Sequence, residues 1–75
     1  QDSKTNFSVF PNPTNGLINI EGINCQFNTD IYDYSGKYKH STNSDKIDLS
    51  SYHKGIYLLK VSYRGKTEEI KVIKD

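Results

Sequence analysis

The sequence has one cysteine, Cys25, and neither tryptophan nor methionine. A single cysteine excludes an internal disulfide, although a core this small rarely supplies more than roughly 3–5 kcal/mol of net stability. Zinc is also disfavoured, because Cys25, His40 and His53 match no ligand spacing. The 75 residues therefore predict one domain without a covalent or metal crosslink.

The chain also lacks an excess of charge of either sign. Its 10 basic and 9 acidic residues leave a net charge of +1 and are spread along the sequence. A domain that binds nucleic acid or an anionic membrane surface would carry a basic patch. Neither partner is expected.

Long apolar runs are missing as well. No segment approaches the roughly 20 apolar residues of a membrane span, and the polar start has no signal-peptide pattern. Because residue 1 is not Met, we expect a piece of a larger precursor, with residues 1–6 as a linker to an upstream cargo domain.

Short strand patterns separated by turn residues make up most of the remaining sequence. The segment 56–63 is apolar on both faces near its start, which predicts a central strand. The segment 7–10 stops at Pro11, as an edge strand would. No segment predicts a helix, so the pattern favours an all-β, immunoglobulin-like antiparallel β-sandwich of about seven short strands. The predicted strands are 7–10, 17–20, 25–33, 37–40, 47–49, 56–63 and 67–73, with 41–44 as a polar loop.

Three turn motifs contain the most distinctive residues. In the first, Pro11 and Pro13 fix φ and flank Asn12, and Asn15-Gly16 follows, which predicts a rigid corner. In the second, the Asp33 carboxylate is expected to accept N–H groups two or three residues ahead, and Gly36 to take the left-handed position.

The third motif runs from Asp48-Leu49 to Gly55-Ile56-Tyr57. Asp48 is interpreted as a turn-capping residue. Tyr57 enters a late strand after a glycine, so its hydroxyl is expected to bond the backbone upstream as a tyrosine corner.

No constellation of residues predicts catalysis, a cofactor or a metal. His40 and His53 lie in polar sequence and are expected to be exposed, with no strained nucleophile beside them. The carboxylates Asp30, Asp33, Asp45 and Asp48 do not follow the spacing of a calcium loop, so turn roles are favoured. Cys25 is expected to be a buried residue within a strand.

The six tyrosines leave one alternative function open. Exposed tyrosines on a sandwich suggest a stacking platform for sugar, and hence a carbohydrate-binding or adhesion module. Half-buried tyrosines on strands are the simpler explanation, and the missing tryptophan weakens the sugar hypothesis. The tyrosines concerned are Tyr32, Tyr34, Tyr38, Tyr52 and Tyr63.

In their order and spacing, the motifs resemble the type A C-terminal sorting domain of the type IX secretion system. The resemblance covers residues 7–75. Phe10 and Tyr52 depart from it, where the family more often has Tyr and an aliphatic residue, respectively. It rests on FSVFPNPTNG at 7–16, IYDYSGK at 31–37, IDLS at 47–50, GIYLLKV at 55–61 and IKVIK at 70–74.

This resemblance implies a non-catalytic export label at the C-terminus of a secreted precursor of Bacteroidota-type bacteria. The implied partners are the upstream cargo, the outer-membrane translocon, its shuttle proteins and a sortase-like surface protease that removes the label upstream of Phe7. The implied route passes through the periplasm to the cell surface or the medium.

Two sets of residues are expected to matter for sorting. The first set holds the turn motifs, which we interpret mainly as scaffold: Pro11, Asn12, Pro13, Gly16, Asp33, Gly36, Asp48, Leu49, Gly55 and Tyr57. The second is the terminal hairpin, whose edge is expected to accept a partner strand, with lysines that discourage self-pairing. Its residues are Lys60, Ile70, Lys71, Val72, Ile73 and Lys74.

Overall fold

The computed structural model describes residues 7–75, which form seven β-strands and no helix. The predicted linker, residues 1–6, lies outside the described residues. Within residues 7–75 the structure therefore has no helix that could cross a membrane. The strands are β1 (Ser8–Phe10), β2 (Leu17–Glu21), β3 (Asn28–Asp33), β4 (Tyr38–Thr42), β5 (Lys46–Asp48), β6 (Gly55–Tyr63) and β7 (Lys66–Lys74).

The strands form two antiparallel sheets that pack face to face. One sheet has the order β1-β2-β5 and the other the order β4-β3-β6-β7. The predicted β-sandwich is confirmed, and so are the central position of β6 and the edge position of β1. Residues Arg64 and Gly65 both have positive φ and join β6 to β7 in a two-residue turn.

The core lies between the sheets because one face of each strand is apolar. On β6 the side chains of Tyr57, Leu59, Val61 and Tyr63 are buried, while the residues between them are partly exposed. Burying one aliphatic side chain of this size contributes about 1.5–3 kcal/mol, so packing between the sheets is the main source of stability. The fully buried aliphatic residues are Ile18, Ile31, Ile47, Leu49, Leu59, Val61 and Val72.

Two predicted strand boundaries are wrong by more than one residue. Strand β3 begins at Asn28 instead of Cys25, because the preceding residues carry the chain from one sheet to the other. Cys25 consequently lies outside any strand and is half-buried against the core. Strand β4 continues through Ser41 and Thr42, which the polar pattern predicts as loop, because both residues pair with β3.

Antiparallel pairing divides the sandwich into two ends. The connections β1–β2, β3–β4 and β5–β6 lie at one end, together with the end of β7. We call this the motif end, made of residues 11–16, 33–39, 48–57 and 71–75. The opposite end, where β1 begins, is the entry end, and it contains the β6–β7 turn.

Candidate functional site

All three turn motifs meet at the motif end. Gly16 in the first motif accepts a backbone hydrogen bond from Leu49 in the third, at 2.8 Å. Asp33 of the second motif pairs with Tyr57 of the third across β3 and β6. Motifs that are 12 residues or more apart in sequence therefore form one structural unit.

In the first motif, the Asn12 side chain takes the place of a neighbouring strand beside β7. Its Nδ2 donates to the Lys71 carbonyl at 2.9 Å, and its Oδ1 accepts from the Ile73 N–H at 3.0 Å. A side-chain amide offers the donor and the acceptor that a backbone peptide would offer. Pro11 and Pro13, both exposed and both preceded by cis peptide bonds, flank this contact.

Thr14 continues the contact with β7 through its backbone. Its N–H donates to the Ile73 carbonyl and its carbonyl accepts from the Asp75 N–H, both at 2.8 Å. Its buried hydroxyl accepts from the Gly16 N–H at 3.0 Å and donates to the Leu17 carbonyl at 2.7 Å. The sequence analysis did not single out Thr14, because no periodic pattern distinguishes this threonine from an exposed one.

These contacts correct the prediction of an open edge along the terminal hairpin. The outward-facing backbone groups of β7 belong to alternate residues, and those of Lys71, Ile73 and Asp75 already bond Asn12 or Thr14. Only the first half of β7, around Thr67 and Glu69, keeps its outward edge uncovered by this corner.

Gly16 is needed where the first motif approaches the third. A Cβ atom at this position would lie 3.1 Å from the Cβ of Ser50, closer than packed side chains normally come. The nearby Asp48 carboxylate accepts the Ser50 N–H at 2.8 Å, which confirms its turn-capping role. Hydrogen bonds from the Ser50 side chain and backbone lower the pKa of Asp48.

The second motif is a tight turn organised by one carboxylate. Asp33 Oδ1 accepts the Ser35 N–H at 3.0 Å, the Ser35 hydroxyl at 2.6 Å and the Lys37 N–H at 2.9 Å. The Ser35 hydroxyl, followed by the Lys37 N–H, lowers the pKa of Asp33. Gly36 has φ +94°, the left-handed conformation predicted for it.

The third motif contains the predicted tyrosine corner. The Tyr57 hydroxyl donates to the His53 carbonyl at 2.6 Å, and the ring is buried. The bond ties the β5–β6 connection to the start of β6, where the first residue, Gly55, is exposed. The Tyr52 ring stacks on Tyr57 with centroids 5.6 Å apart.

His40 is not exposed, contrary to the sequence prediction. It is half-buried and hydrogen-bonds the Tyr52 hydroxyl through Nδ1, because β4 turns this residue toward the opposite sheet. Burial raises the pKa of Tyr52. His53 is exposed as predicted. Within residues 7–75, no cluster of three or more His, Cys, Asp or Glu side chains could hold a metal ion.

The five tyrosines of the sugar hypothesis do not form one platform. Tyr63 is buried at the entry end, edge-to-face with Phe7 at 5.6 Å, and Tyr52 is half-buried against the core, where its ring stacks on another tyrosine. Tyr32 and Tyr38 meet edge-to-face at 5.8 Å with an interplanar angle of 69°. Their rings therefore do not present a common plane for stacking.

The terminal hairpin presents only some of its predicted residues to solvent. Val72 is fully buried and Ile70 is half-buried, so both belong to the core or its margin. Lys71 and Ile73 are exposed, and Lys74 is partly exposed. The Lys60 ammonium lies 4.8 Å from the centroid of the Tyr32 ring.

Exposed apolar side chains are concentrated at the motif end, a feature that the sequence analysis missed. Strand alternation places four of them on outer faces and the fifth, Tyr34, lies in the β3–β4 turn, but only the pairing of the strands brings them to the same end. The large apolar side chains exposed within residues 7–75 are Phe10, Leu17, Tyr34, Tyr38 and Ile73.

The entry end has shallow clefts instead of exposed apolar side chains. Their linings share Phe27 and Asn43. One lining is otherwise mostly polar and uncharged and includes the Cys25 thiol. The other includes the carboxylates of Glu21 and Asp45.

Comparison with known proteins adds one match to this geometry. The family model of the secretion system C-terminal sorting domain matches residues 8–75, a span that includes all seven strands and all three motifs. None of the curated proteins compared with the chain matches it.

Proposed function

The chain belongs to the family of secretion system C-terminal sorting domains, and from that membership we propose how it sorts its cargo. As a member of that family it is a sorting signal of type IX secretion, a role that requires no catalysis. We propose that it directs an upstream cargo domain through the outer-membrane translocon and that a sortase-like surface protease then removes it.

The observation that carries the proposal is the assembly of the three motifs at the end opposite the chain entry. Residue 7 enters beside the start of β1, so cargo attached upstream extends from the entry end. The motif end then stays accessible while the domain is joined to its cargo. A machine that exports many cargoes needs a feature of this kind, which does not depend on the cargo.

Within this unit, we assign the motif residues to scaffold and the terminal hairpin to recognition. The polar groups of Asn12, Asp33, Asp48 and Tyr57 make hydrogen bonds inside the domain. A partner would have to break these bonds to use the same groups. Lys60, Lys71, Ile73 and Lys74 reach the surface and are available for contacts with the translocon or its shuttle proteins.

The preorganised corner lowers the free-energy cost of such recognition. Asn12 and Thr14 hold the last residues of β7 in one conformation, so a partner need not order them. Removal of the label fits the same layout, because cleavage upstream of Phe7 separates cargo from domain without cutting the sandwich. The route is then periplasm, translocon and cell surface, with cargo anchored or released.

The test is a reporter fusion in a strain that has a type IX system. Residues 1–75 are joined to the C-terminus of a fluorescent reporter that carries a periplasmic export signal. We expect reporter at the cell surface or in the medium, and periplasmic retention in a strain without the translocon. Equal export with and without the translocon would contradict the proposal.

A further inference from the structure

The outer face of the four-stranded sheet has an apolar area at the motif end that no part of the described chain covers. Tyr38 is 53% and Ile73 is 41% exposed, and the residues between them are half-buried. We call this the outer patch. It is made of Tyr32, Tyr38, Ile56, Leu58 and Ile73.

Strand register makes the outer patch continuous. Tyr38 pairs with Tyr32, Tyr32 pairs with Leu58, and Leu58 pairs with Lys71, which gives one row across all four strands. We call it the tyrosine row. Ile56 pairs with Ile73 in the adjoining row. Cross-strand partners on one face have Cβ atoms about 4.5–5.5 Å apart, so these side chains form one surface.

Lysines lie on two sides of the outer patch. Lys71 ends the tyrosine row, and the Lys60 ammonium lies over the Tyr32 ring. Asp30 and Glu69 pair with Lys60 from the strands on either side, whereas Lys71 has no carboxylate as a cross-strand partner within residues 7–75. The Asp33 and Asp48 carboxylates accept turn hydrogen bonds. The motif end as defined has five lysines and three aspartates, a net charge of +2. They are Lys37, Lys39, Lys54, Lys71 and Lys74, with Asp33, Asp48 and Asp75.

We propose that the outer patch is the surface on which a protein of the export machinery docks, and that this protein presents apolar side chains beside carboxylates. The inference rests on the proposed function. Apolar contact with the tyrosine row supplies the affinity, and carboxylates beside Lys71 set the orientation.

Charge and ring geometry argue against two other occupants. A second copy docked patch to patch would bring the lysines of one motif end toward those of the other, and such like-charge contacts oppose association. A sugar ring stacks on an open aromatic face, but the Lys60 ammonium covers one face of Tyr32, and Tyr38 meets that ring edge-on.

The experiment compares matched pairs of exposed residues in the reporter fusion. The Tyr38→Ser/Ile73→Ser variant removes apolar contacts from the outer patch. Its control, Phe10→Ser/Leu17→Ser, removes two exposed apolar side chains at the same end of the three-stranded sheet. Loss of the two most exposed apolar contacts of the patch should reduce surface reporter by about tenfold or more, while the control stays within about twofold of the unsubstituted fusion.

A second pair tests the charge of the partner. Lys71→Glu reverses the charge in the tyrosine row, and Lys66→Glu makes the same change at the far end of β7. Only Lys71→Glu should reduce export, and Lys71→Arg should restore it. Unfolding of each purified domain in urea separates loss of docking from loss of fold. If Tyr38→Ser/Ile73→Ser misfolds, Tyr38→Ser alone replaces it.

The outcomes separate the two proposals. If the unsubstituted fusion is not exported, the proposed function fails. The outer patch is not the docking surface if the unsubstituted fusion is exported and the folded outer-patch variants are exported equally well. The same follows if the Phe10→Ser/Leu17→Ser control loses as much surface reporter as the outer-patch variant. The inference would also be overturned if the domain dimerised in sedimentation runs, or bound an oligosaccharide array, and Tyr38→Ser abolished that dimerisation or binding.

Discussion

At the scale of single residues, two buried threonines have opposite hydrogen-bonding situations. The Thr14 hydroxyl makes two hydrogen bonds at the first corner. The Thr29 hydroxyl is fully buried on β3 without a partner. A buried polar group without a partner keeps its full desolvation cost, so the same substitution should have opposite effects at these two positions.

We predict that Thr29→Val stabilises the domain by roughly 1 kcal/mol, because valine has the same shape without the unpaired hydroxyl. Thr14→Val should instead destabilise it by roughly 1–3 kcal/mol, since the Gly16 N–H and the Leu17 carbonyl lose their partner. Urea unfolding followed by circular dichroism measures both free energies. Destabilisation by Thr29→Val would contradict the argument.

Asp33 makes stability depend on pH in a specific direction. Its folded pKa is lowered by the Ser35 hydroxyl and the Lys37 N–H. A carboxylate whose pKa is lower in the folded than in the unfolded state, where it is about 3.9, stabilises the fold at a pH above the unfolded pKa. This stabilisation is lost as the pH falls through the folded pKa.

Below about pH 4, the free energy of unfolding of the Asp33→Asn variant should therefore decrease less with falling pH than that of the unsubstituted domain. Ser35→Ala should raise the pKa of Asp33, because it removes the strongest hydrogen-bond donor to the carboxylate. Unfolding free energies between about pH 2 and 6 and an NMR titration of the Asp33 carboxyl carbon provide the measurements. An unchanged titration in Ser35→Ala would show that its hydroxyl bond is unimportant.

At the scale of elements, the first corner determines how β7 ends. β7 is the last strand of its sheet, and the edge of its final residues is covered by Asn12 and Thr14 instead of another strand. This cover restricts strand addition to the first half of β7. It also gives a physical reason why the first turn motif, near the start of the domain, occurs together with the strand pattern of residues 70–74 at its end.

We predict that Asn12→Ala costs roughly 0.5–1.5 kcal/mol, the usual net value of such hydrogen bonds. The amide of Ile73 should exchange with solvent faster than in the unsubstituted domain, because Asn12 Oδ1 is its acceptor. Hydrogen exchange followed by NMR measures this. Asn15→Ala in the same corner is the control and should leave the Ile73 amide protected.

The tyrosine corner holds the β5–β6 connection against the start of β6. Tyr57→Phe should lower the free energy of unfolding by roughly 1–2 kcal/mol, because the His53 carbonyl loses its donor and the ring still packs. Tyr34→Phe, at an exposed turn position, is the control and should change stability by less than about 0.5 kcal/mol. Equal effects in urea unfolding would argue against a specific role for the Tyr57 hydroxyl.

At the scale of the whole molecule, the proposed function gives the two ends of the sandwich different tasks. The entry end receives the chain and has a short turn and shallow clefts. The motif end combines the three corners, the end of β7 and the exposed apolar side chains. Under the proposed function, attachment of cargo at the entry end leaves recognition at the motif end unhindered.

This division predicts a dependence on fusion site. A reporter joined before residue 1 should be exported, while the same reporter joined after Asp75 should block export because it crowds the motif end. Both fusions should show the same urea midpoint for the sorting domain, since neither junction enters the core. Efficient export of both would show that the motif end need not be free.

Much of the fold could be predicted from the sequence, because its causes are local. Alternating apolar residues place β6 and β7, and Asp33, Gly36 and Tyr57 form the predicted turn and corner because their partners lie within four residues. The errors have non-local causes. Cys25 lies in the segment that connects one sheet to the other. His40 is half-buried because it hydrogen-bonds Tyr52, which is 12 residues away in sequence.

The sequence by itself determined seven strands, three rigid corners and membership of a sorting-domain family, since these depend on alternation, turn chemistry and motif order. Only the tertiary structure decided that Asn12 bonds β7, 59 residues away, and that exposed apolar side chains gather at one end. The physical reason is that strand pairing, and not sequence proximity, decides which side chains share a surface.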